Sequence, residues 1–282
     1  MICAGIDAGS RAIKIVLIDA EPKPRVKCRA KYLACGFTAG SGLQVVAKGL
    51  MDQGVEQDRL ASELFKRLLK DNNISKKEVG RIVATGYGRN VVSAADTTIT
   101  EITCHAVGVR QFVPEAMTII DIGGQDSKLL RLDTTGKVRD FAMNDRCAAR
   151  TGRFLEVVAE RLGVPLESLG QMAAKSRNPA AISSMCVVFA ETEIIGLLTA
   201  GKAREDIVAG VQAAIANRVV AMAGRNIDLP IIFTGGVAMI SGMAAALQSA
   251  IGKTVTVSPD PQMTGALGAA ILASGQLNKA ES

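Results

Sequence analysis

Apolar and polar positions along the chain follow two rhythms. Short apolar runs, several of them closed by glycine, predict β-strands over Ile2–Asp7, Ala12–Ile18, Arg81–Thr85, Met117–Asp121, Ser127–Leu132 and Leu229–Thr234. Helical spacing appears between them. Leu60, Leu64 and Leu68 recur at i, i+4 and i+8 and predict an amphipathic helix over Arg59–Asp71, while Phe154, Leu155, Val158 and Leu162 form a second such stripe. Further helices are predicted over Thr100–Phe112, Ala190–Leu198, Ala238–Ala250 and Thr264–Ala273, the last made of small residues suited to close packing on backbone. The final seven residues are expected to fray. Residues 22–32 place Lys23, Arg25, Lys27, Arg29 and Lys31 on one face of a solvated edge strand or of a docking face for an acidic partner, and Gly36–Gly42 reads as a loop.

Two of the strand pairs repeat each other. Residues 6–19 (IDAGSRAIKIVLID) and 120–133 (IDIGGQDSKLLRLD) share I-D-x-G-x4-K-x4-D, so Asp7, Gly9, Lys14 and Asp19 correspond to Asp121, Gly123, Lys128 and Asp133. Each copy predicts a β-hairpin around a glycine turn. Such turns let backbone N–H groups approach an anion, and an Asp at the strand end suits a Mg²⁺ that keeps most of its water. A bare hairpin turn is the simpler reading of either copy alone; the duplication favours two grips on one polyphosphate. Gly235-Gly236, after the third apolar strand, would let a flat ring or phosphate lie against the chain, though a tight strand-to-helix turn also needs them. Neither G-x4-GK[ST] nor GxGxxG is present in the expected place, which sets aside P-loop and dinucleotide-binding readings.

Composition narrows the chemistry. The 282 residues suffice for one large or two modest domains, and 48% hydrophobic with 21% charged residues marks a folded chain. No uninterrupted apolar run reaches bilayer length and the first residues lack a signal-peptide pattern, so a cytoplasmic protein with reduced thiols and no membrane partner is expected. One histidine excludes HExxH zinc sites. Few aromatics (seven Phe, two Tyr, no Trp) argue against a nucleic-acid partner despite the net charge of +6. Of six cysteines, Cys147 precedes a helix among Arg146, Arg150 and Arg153, where a thiolate is favoured, and Cys186 precedes another. They are either ordinary buried thiols or two of the four ligands that a cubane iron–sulfur cluster needs, a two-fold axis supplying the other two. Cys3, Cys28, Cys35 and Cys104 read as structural. His105, alone on its helix, reads as structural or solvated, and the glycines of Gly86-Tyr87-Gly88-Arg89 as a plain turn.

The two hairpins and the double glycine resemble, in this order, the phosphate and adenosine segments of the actin/hexokinase/heat-shock-protein ATPase superfamily. That resemblance implies an α/β fold of two ribonuclease-H-like halves with nucleotide in the cleft: 1–115 with helix 264–282 packing back, and 116–263 carrying Cys147 and Cys186. The stretches ATGYGRN, ITCHAVG, IDIGGQDSK, MNDRCAARTGRFLEVVAERLG, AISSMCVVFAETEII, FTGGVA and TGALGAAIL further resemble the BadF/BadG/BcrA/BcrD ATPase family, the activators of 2-hydroxyacyl-CoA dehydratases and the ATPase subunits of benzoyl-CoA reductases. The resemblance implies ATP/ADP and Mg²⁺ as ligands and one [4Fe-4S] cluster held by Cys147 and Cys186 of two protomers, the second being another copy or a homologous subunit. Ferredoxin or flavodoxin would supply the electron, and an acyl-CoA reductase or dehydratase would accept it. Asp7 and Asp121 would organise Mg²⁺; Gly9, Ser10, Lys14, Gly123, Gly124 and Lys128 would hold phosphates; Gln125 or Asp126 would position water; Gly235 and Gly236 would lie against the adenosine. Arg150 stands where the family has glycine, and the segment from Gly36 to Arg59 is longer than in the shortest activators. The rivals are a cluster-free small-molecule kinase and an actin-like filament protein on the same fold.

Overall fold

A computed structural model describes residues 1–20, 43–144, 151–183, 187–224 and 227–280. The basic segment 22–32, the loop 36–42, Cys28, Cys35, Cys147 and Cys186 lie outside the described residues. In chain order the elements are β1 (Ile2–Ala8), β2 (Ala12–Asp19), β3 (Gln44–Asp52), α1 (Gln57–Asp71), β4 (Val79–Thr85), β5 (Thr97–Thr98) and α2 (Glu101–Phe112). There follow β6 (Thr118–Ile122), β7 (Ser127–Leu132), β8 (Val138–Asn144), α3 (Gly152–Leu162), α4 (Leu169–Ala173), α5 (Val187–Thr199) and α6 (Arg204–Ala223). The chain ends with β9 (Ile231–Thr234), α7 (Met243–Ile251), β10 (Val255–Val257) and α8 (Thr264–Ala280). It divides into two compact units, one of Met1–Glu115, Thr135–Val138 and Gln262–Ser282, the other of Ala116–Thr134 and Arg139–Pro261.

Each unit is built on a five-stranded mixed sheet, in the order β3-β2-β1-β4-β5 in the first and β10-β9-β6-β7-β8 in the second. The repeat thus reaches beyond the hairpins. In both sheets the first strand of the hairpin pairs antiparallel with the second and parallel with a later strand, β1 with β4 and β6 with β9.

Strand β1 is buried on both faces, which is why it reads as an unbroken apolar run. On one face Ala4, Ile6 and Ala8 join a core with Leu64, Phe65 and Leu68 of α1. On the other, Cys3 packs with Cys104 and the small residues of α8. A Cβ at Gly5 would meet Ala266 O at 2.0 Å and Ala270 N at 2.4 Å, so glycine there lets α8 lie directly on the strand. Helices α2 and α8 approach as closely, since a Cβ at Gly108 would strike Thr264 O at 1.9 Å and one at Gly268 would strike Cys104 O at 1.8 Å. The small-residue sequence of α8 is therefore a packing requirement.

The second unit buries Ile120, Ile122 and Phe233 against α3 and α6. Four expectations need correction. The segment after the double glycine is a 3₁₀ turn over Gly236–Met239 before α7 begins, because Gly242, in a left-handed conformation, restarts the helix. Strand β9 starts at Ile231, after a cis Leu229–Pro230 bond. Helix α8 continues to Ala280 where fraying was expected. Finally, α6 is long and apolar enough to cross a membrane by length and composition; Arg204, Glu205, Asp206 and Arg218 masked this in the sequence. More than half of its most apolar window is buried, and Ile207, Val208, Val211 and Ile215 are core residues of its unit.

Candidate nucleotide site

Lys follows Asp by seven positions in each copy of the repeat, and across a tight hairpin that spacing makes them direct partners: Asp7 pairs with Lys14 and Asp121 with Lys128. Both turns close with the same backbone bond. Gly9 N donates to Ala12 O at 3.1 Å, and Gly123 N to Asp126 O at 2.9 Å.

In the first unit Lys14 Nζ lies 2.9 Å from Asp7 Oδ2, and the lysine keeps about a fifth of its side chain exposed. A Cβ on Gly9 would sit 2.9 Å from the same Nζ, so the turn's open space faces the ammonium. Gln53, from the loop after β3, donates through Nε2 to Gly9 O at 2.8 Å and fixes the turn. Ser10, half buried, completes it. The other Asp7 oxygen is bounded by the end of β4, where Thr85 sits beside Asp7 in the parallel register. Gly86, at φ +86°, has room only for hydrogen; a Cβ would meet Asp7 Oδ1 at 2.5 Å and Ala8 O at 2.7 Å. Gly88 N donates to Ala8 O at 2.9 Å and Arg89 Nη1 to Gly86 O at 3.0 Å. The turn read as plain in the sequence is thus moulded onto Asp7.

In the second unit the corresponding strand end repeats this. Thr234 is Asp121's partner in register, and Gly235, at φ +88°, would with a Cβ collide with Ile122 O at 2.4 Å and Asp121 Oδ1 at 2.5 Å. Gly235 N and Thr234 Oγ1 both donate to Pro261 O, at 2.9 and 2.7 Å. Gly236 opens the 3₁₀ turn. The lysine differs. Lys128 is buried between Asp126, with which it makes a very close ion pair, and Asp121 at 3.2 Å. Asp126 is itself buried, its Oδ1 filling the space beside Gly123, whereas Gln125 at the apex is exposed.

The second turn also reaches a helix. Thr151 Oγ1 donates to Gly124 O at 2.9 Å, Gly152 N to Gly123 O at 2.9 Å and Arg153 N to Gly124 O at 2.8 Å. The first turn of α3 is hung from the glycine turn in this way, five residues after Cys147. Sequence reasoning missed Thr151, Gly86 and Gln53; comparison of T-G at 85–86 with T-G at 234–235 was the available signal for one of them.

A separate open groove of about 700 Å³ runs among α4, α6 and α7, floored by Gly170, Ala209, Ala213 and Ala246, and none of the predicted site residues lines it. Among the described residues no group of three or more His, Cys, Asp or Glu could hold a metal ion by protein ligands alone. A hydrated cation needs fewer. Asp7 and Asp121 supply one carboxylate each, the number that a magnesium ion keeping most of its water takes from a protein. Cys3 and Cys104 are fully buried in the core of the first unit, where desolvation pushes the thiols up to about 11 and about 12.

Two mixed sheets, each carrying a glycine-turned Asp–Lys hairpin and a second glycine turn folded onto the Asp, define an actin-like nucleotide-binding ATPase. More particularly, the chain belongs to the BadF/BadG/BcrA/BcrD ATPase family, whose model matches residues 4–273. It is 39% identical to the activator of lactoyl-CoA dehydratase from Anaerotignum propionicum over 97% of both chains. The solved activator of 2-hydroxyisocaproyl-CoA dehydratase from Clostridium difficile, with bound ADPNP, superposes with a TM-score of 0.86 at 37% identity, covering 100% of this chain and 97% of that one. A benzoyl-CoA reductase component from Thauera aromatica is 30% identical over 96% of this chain and 92% of its own. The small-molecule kinase and filament readings find no relative among these.

Proposed function

We propose that this protein is an ATP-hydrolysing activator that delivers low-potential electrons to an acyl-CoA dehydratase or reductase in the cytoplasm. The observation that carries the reading is the bonding of the Gly123–Gly124 turn to Thr151, Gly152 and Arg153: a turn suited to phosphate is tied to the helix that follows Cys147. Higher identity to the dehydratase activator than to the reductase component favours the dehydratase arm.

In the first unit Lys14 and the N–H group of Ser10 bind phosphate at the turn that Gly9 closes, and Asp7 would hold a hydrated Mg²⁺. In the second unit Gly124 offers its N–H in the turn that Gly123 closes, Asp121 would face the cation, and Gly235 and Gly236 lie against the adenosine. Lys128 holds Asp121 and Asp126 in place, and Asp126 with Gln125 orients the attacking water. Cys147 and Cys186 from each of two protomers hold a [4Fe-4S] cluster, which when bound supplies one-electron chemistry. Helix α5, which begins beside Cys186, leaves Phe189 and Ile195 exposed, an apolar surface suited to a second protomer. Ferredoxin or flavodoxin is the donor.

Anaerobic purification with iron and sulfide analysis tests the proposal. About four irons per two chains are expected, with loss in Cys147→Ser and in Cys186→Ser. Iron that survives both substitutions, or its absence from the wild-type protein, would overturn it.

A further inference from the structure

Helices α3 and α5 each follow one of the two cysteine positions, and an ion pair joins them. Arg161 Nη2, in the last turn of α3, makes a very close contact with Glu191 Oε1, one turn into α5. Local helix chemistry does not explain the pair. The residues three and four positions from Arg161 are Val157, Val158, Val164 and Pro165, and those around Glu191 are Val187, Val188, Ile194 and Ile195. Neither side chain therefore has an opposite charge at the spacing where helical neighbours meet. Arg59–Glu63 and Arg153–Glu156 differ, since each stays within one helix.

Both helices are fastened at the ends that matter. The first turn of α3 hangs from Gly123 and Gly124, its last turn is closed by Gly163 N donating to Glu160 O, and its 11 residues make a rod of about 16 Å. On α5, Glu193 lies two residues beyond Glu191 and so points to the opposite side of the helix. Its Oε1 accepts from Ser183 N at 2.9 Å and from Ser183 Oγ at 2.8 Å. Helix α5 is thus tied on one side to α3 and on the other to the residue three positions before Cys186. Ile194 adds an apolar contact in the core that holds Phe154, Leu155 and Val158. Such contact is non-directional, whereas an ion pair fixes one residue against another.

We propose that the Arg161–Glu191 pair passes the nucleotide state of the Gly123–Gly124 turn from α3 to α5, so that the helices after Cys147 and Cys186 respond together. This rests on the reading of that turn as a phosphate site tied to α3. A shift at the first turn of α3 travels along the rod to Arg161, and Glu191 follows its partner. Arg161 is 46% exposed and Glu191 27%, so the pair contributes little to stability and is weakened by salt. Its loss therefore changes communication and leaves the fold in place.

Hydrogen exchange read by mass spectrometry, on the full chain purified anaerobically with and without saturating ADPNP, tests this apart from turnover. In the wild type ADPNP should change exchange both in residues 152–156 and in residues 187–193. Arg161→Met should lose the α5 response, keep the α3 response within about twofold, and leave Tm within about 4 °C. Arg161→Glu combined with Glu191→Arg restores the α5 response, and salt at about 1 M suppresses it while sparing α3. An α5 response that persists in Arg161→Met, or that is absent from the wild type while α3 responds, overturns the inference and leaves the turn its link to α3. Loss of both responses in Arg161→Met overturns it as well, because the pair is then no selective link. A wild type silent in both helices overturns the reading of the turn and this one together. If Arg161→Met lacks the native circular dichroism, Glu191→Gln decides: it must show the same selective loss for the inference to stand.

Discussion

The two hairpins are copies in register and opposites in charge. At the turn glycine of the first, the near atom is an ammonium, Lys14 Nζ; at the turn glycine of the second, it is a carboxylate oxygen of Asp126. Two substitutions make the difference, since Arg11 and Ala12 in the first copy stand where Gln125 and Asp126 stand in the second. The added carboxylate draws Lys128 into a buried triad, while Lys14 stays partly exposed beside Asp7. A duplicated motif has been divided into a turn with a part-exposed cation and a turn whose cation is buried between two carboxylates, which leaves the second its backbone alone to offer a phosphate. Identical letters in a repeat do not imply identical work.

The largest expected effect separates the two lysines. Lys128→Met leaves two carboxylates buried without their cation and should cost about 3–5 kcal/mol, a fall in Tm of roughly 6–15 °C for a chain of this size. Lys14→Met should lower Tm far less and instead weaken ADPNP binding at least about tenfold, because a charge-assisted phosphate contact is lost. Thermal unfolding and calorimetry on both variants check this. Equal loss of stability in the two would erase the distinction.

The second glycine turns are predicted to behave alike where the hairpins do not. Gly86→Ala and Gly235→Ala each force a Cβ onto a carbonyl oxygen and an Asp Oδ1 at left-handed φ, and each should destabilise by about 2–4 kcal/mol by chemical denaturation. If Gly86→Ala is tolerated, the repeat ends at the hairpins.

Converting the second hairpin into the first sharpens the comparison further. Asp126→Ala keeps the Lys128–Asp121 pair and removes the second carboxylate, at about 1–2 kcal/mol. ATP hydrolysis should fall while ADPNP affinity persists, as measured by steady-state turnover beside calorimetry. Unchanged turnover would remove Asp126 from the water-positioning role.

Much of this was legible in the chain because it is local. The D-x-G-x4-K spacing fixes a hairpin register, and the stripe from Phe154 to Leu162 fixes a helix face. The burial of Lys128 could also have been read by setting Ala12 against Asp126. The contact of His105 with Thr264 could not, since that partner lies 159 positions along the chain. Nor could β3 and β8, edge strands whose half-exposed positions lack a clean alternation. Helix α6 was hidden for the opposite reason: it is buried on several sides, so its apolar residues do not form one stripe.

The smallest expected effect concerns the link that only the second hairpin possesses. Thr151→Val replaces a buried hydroxyl by a methyl group of the same shape. Its acceptor, Gly124 O, keeps the bond from Arg153 N, and Gly152 N still holds Gly123 O, so no carbonyl is orphaned and the cost should stay near 1 kcal/mol. Affinity for ADPNP should remain within about twofold, because the turn's N–H groups are untouched. What should change is communication: in cluster-free protein, the ratio of Cys147 alkylation rates with and without ADPNP should move towards one. If that ratio differs from unity in the wild type and is the same in Thr151→Val, the Thr151 hydroxyl is not a working part of the link, and the coupling must run through the two backbone bonds, which side-chain substitution leaves in place.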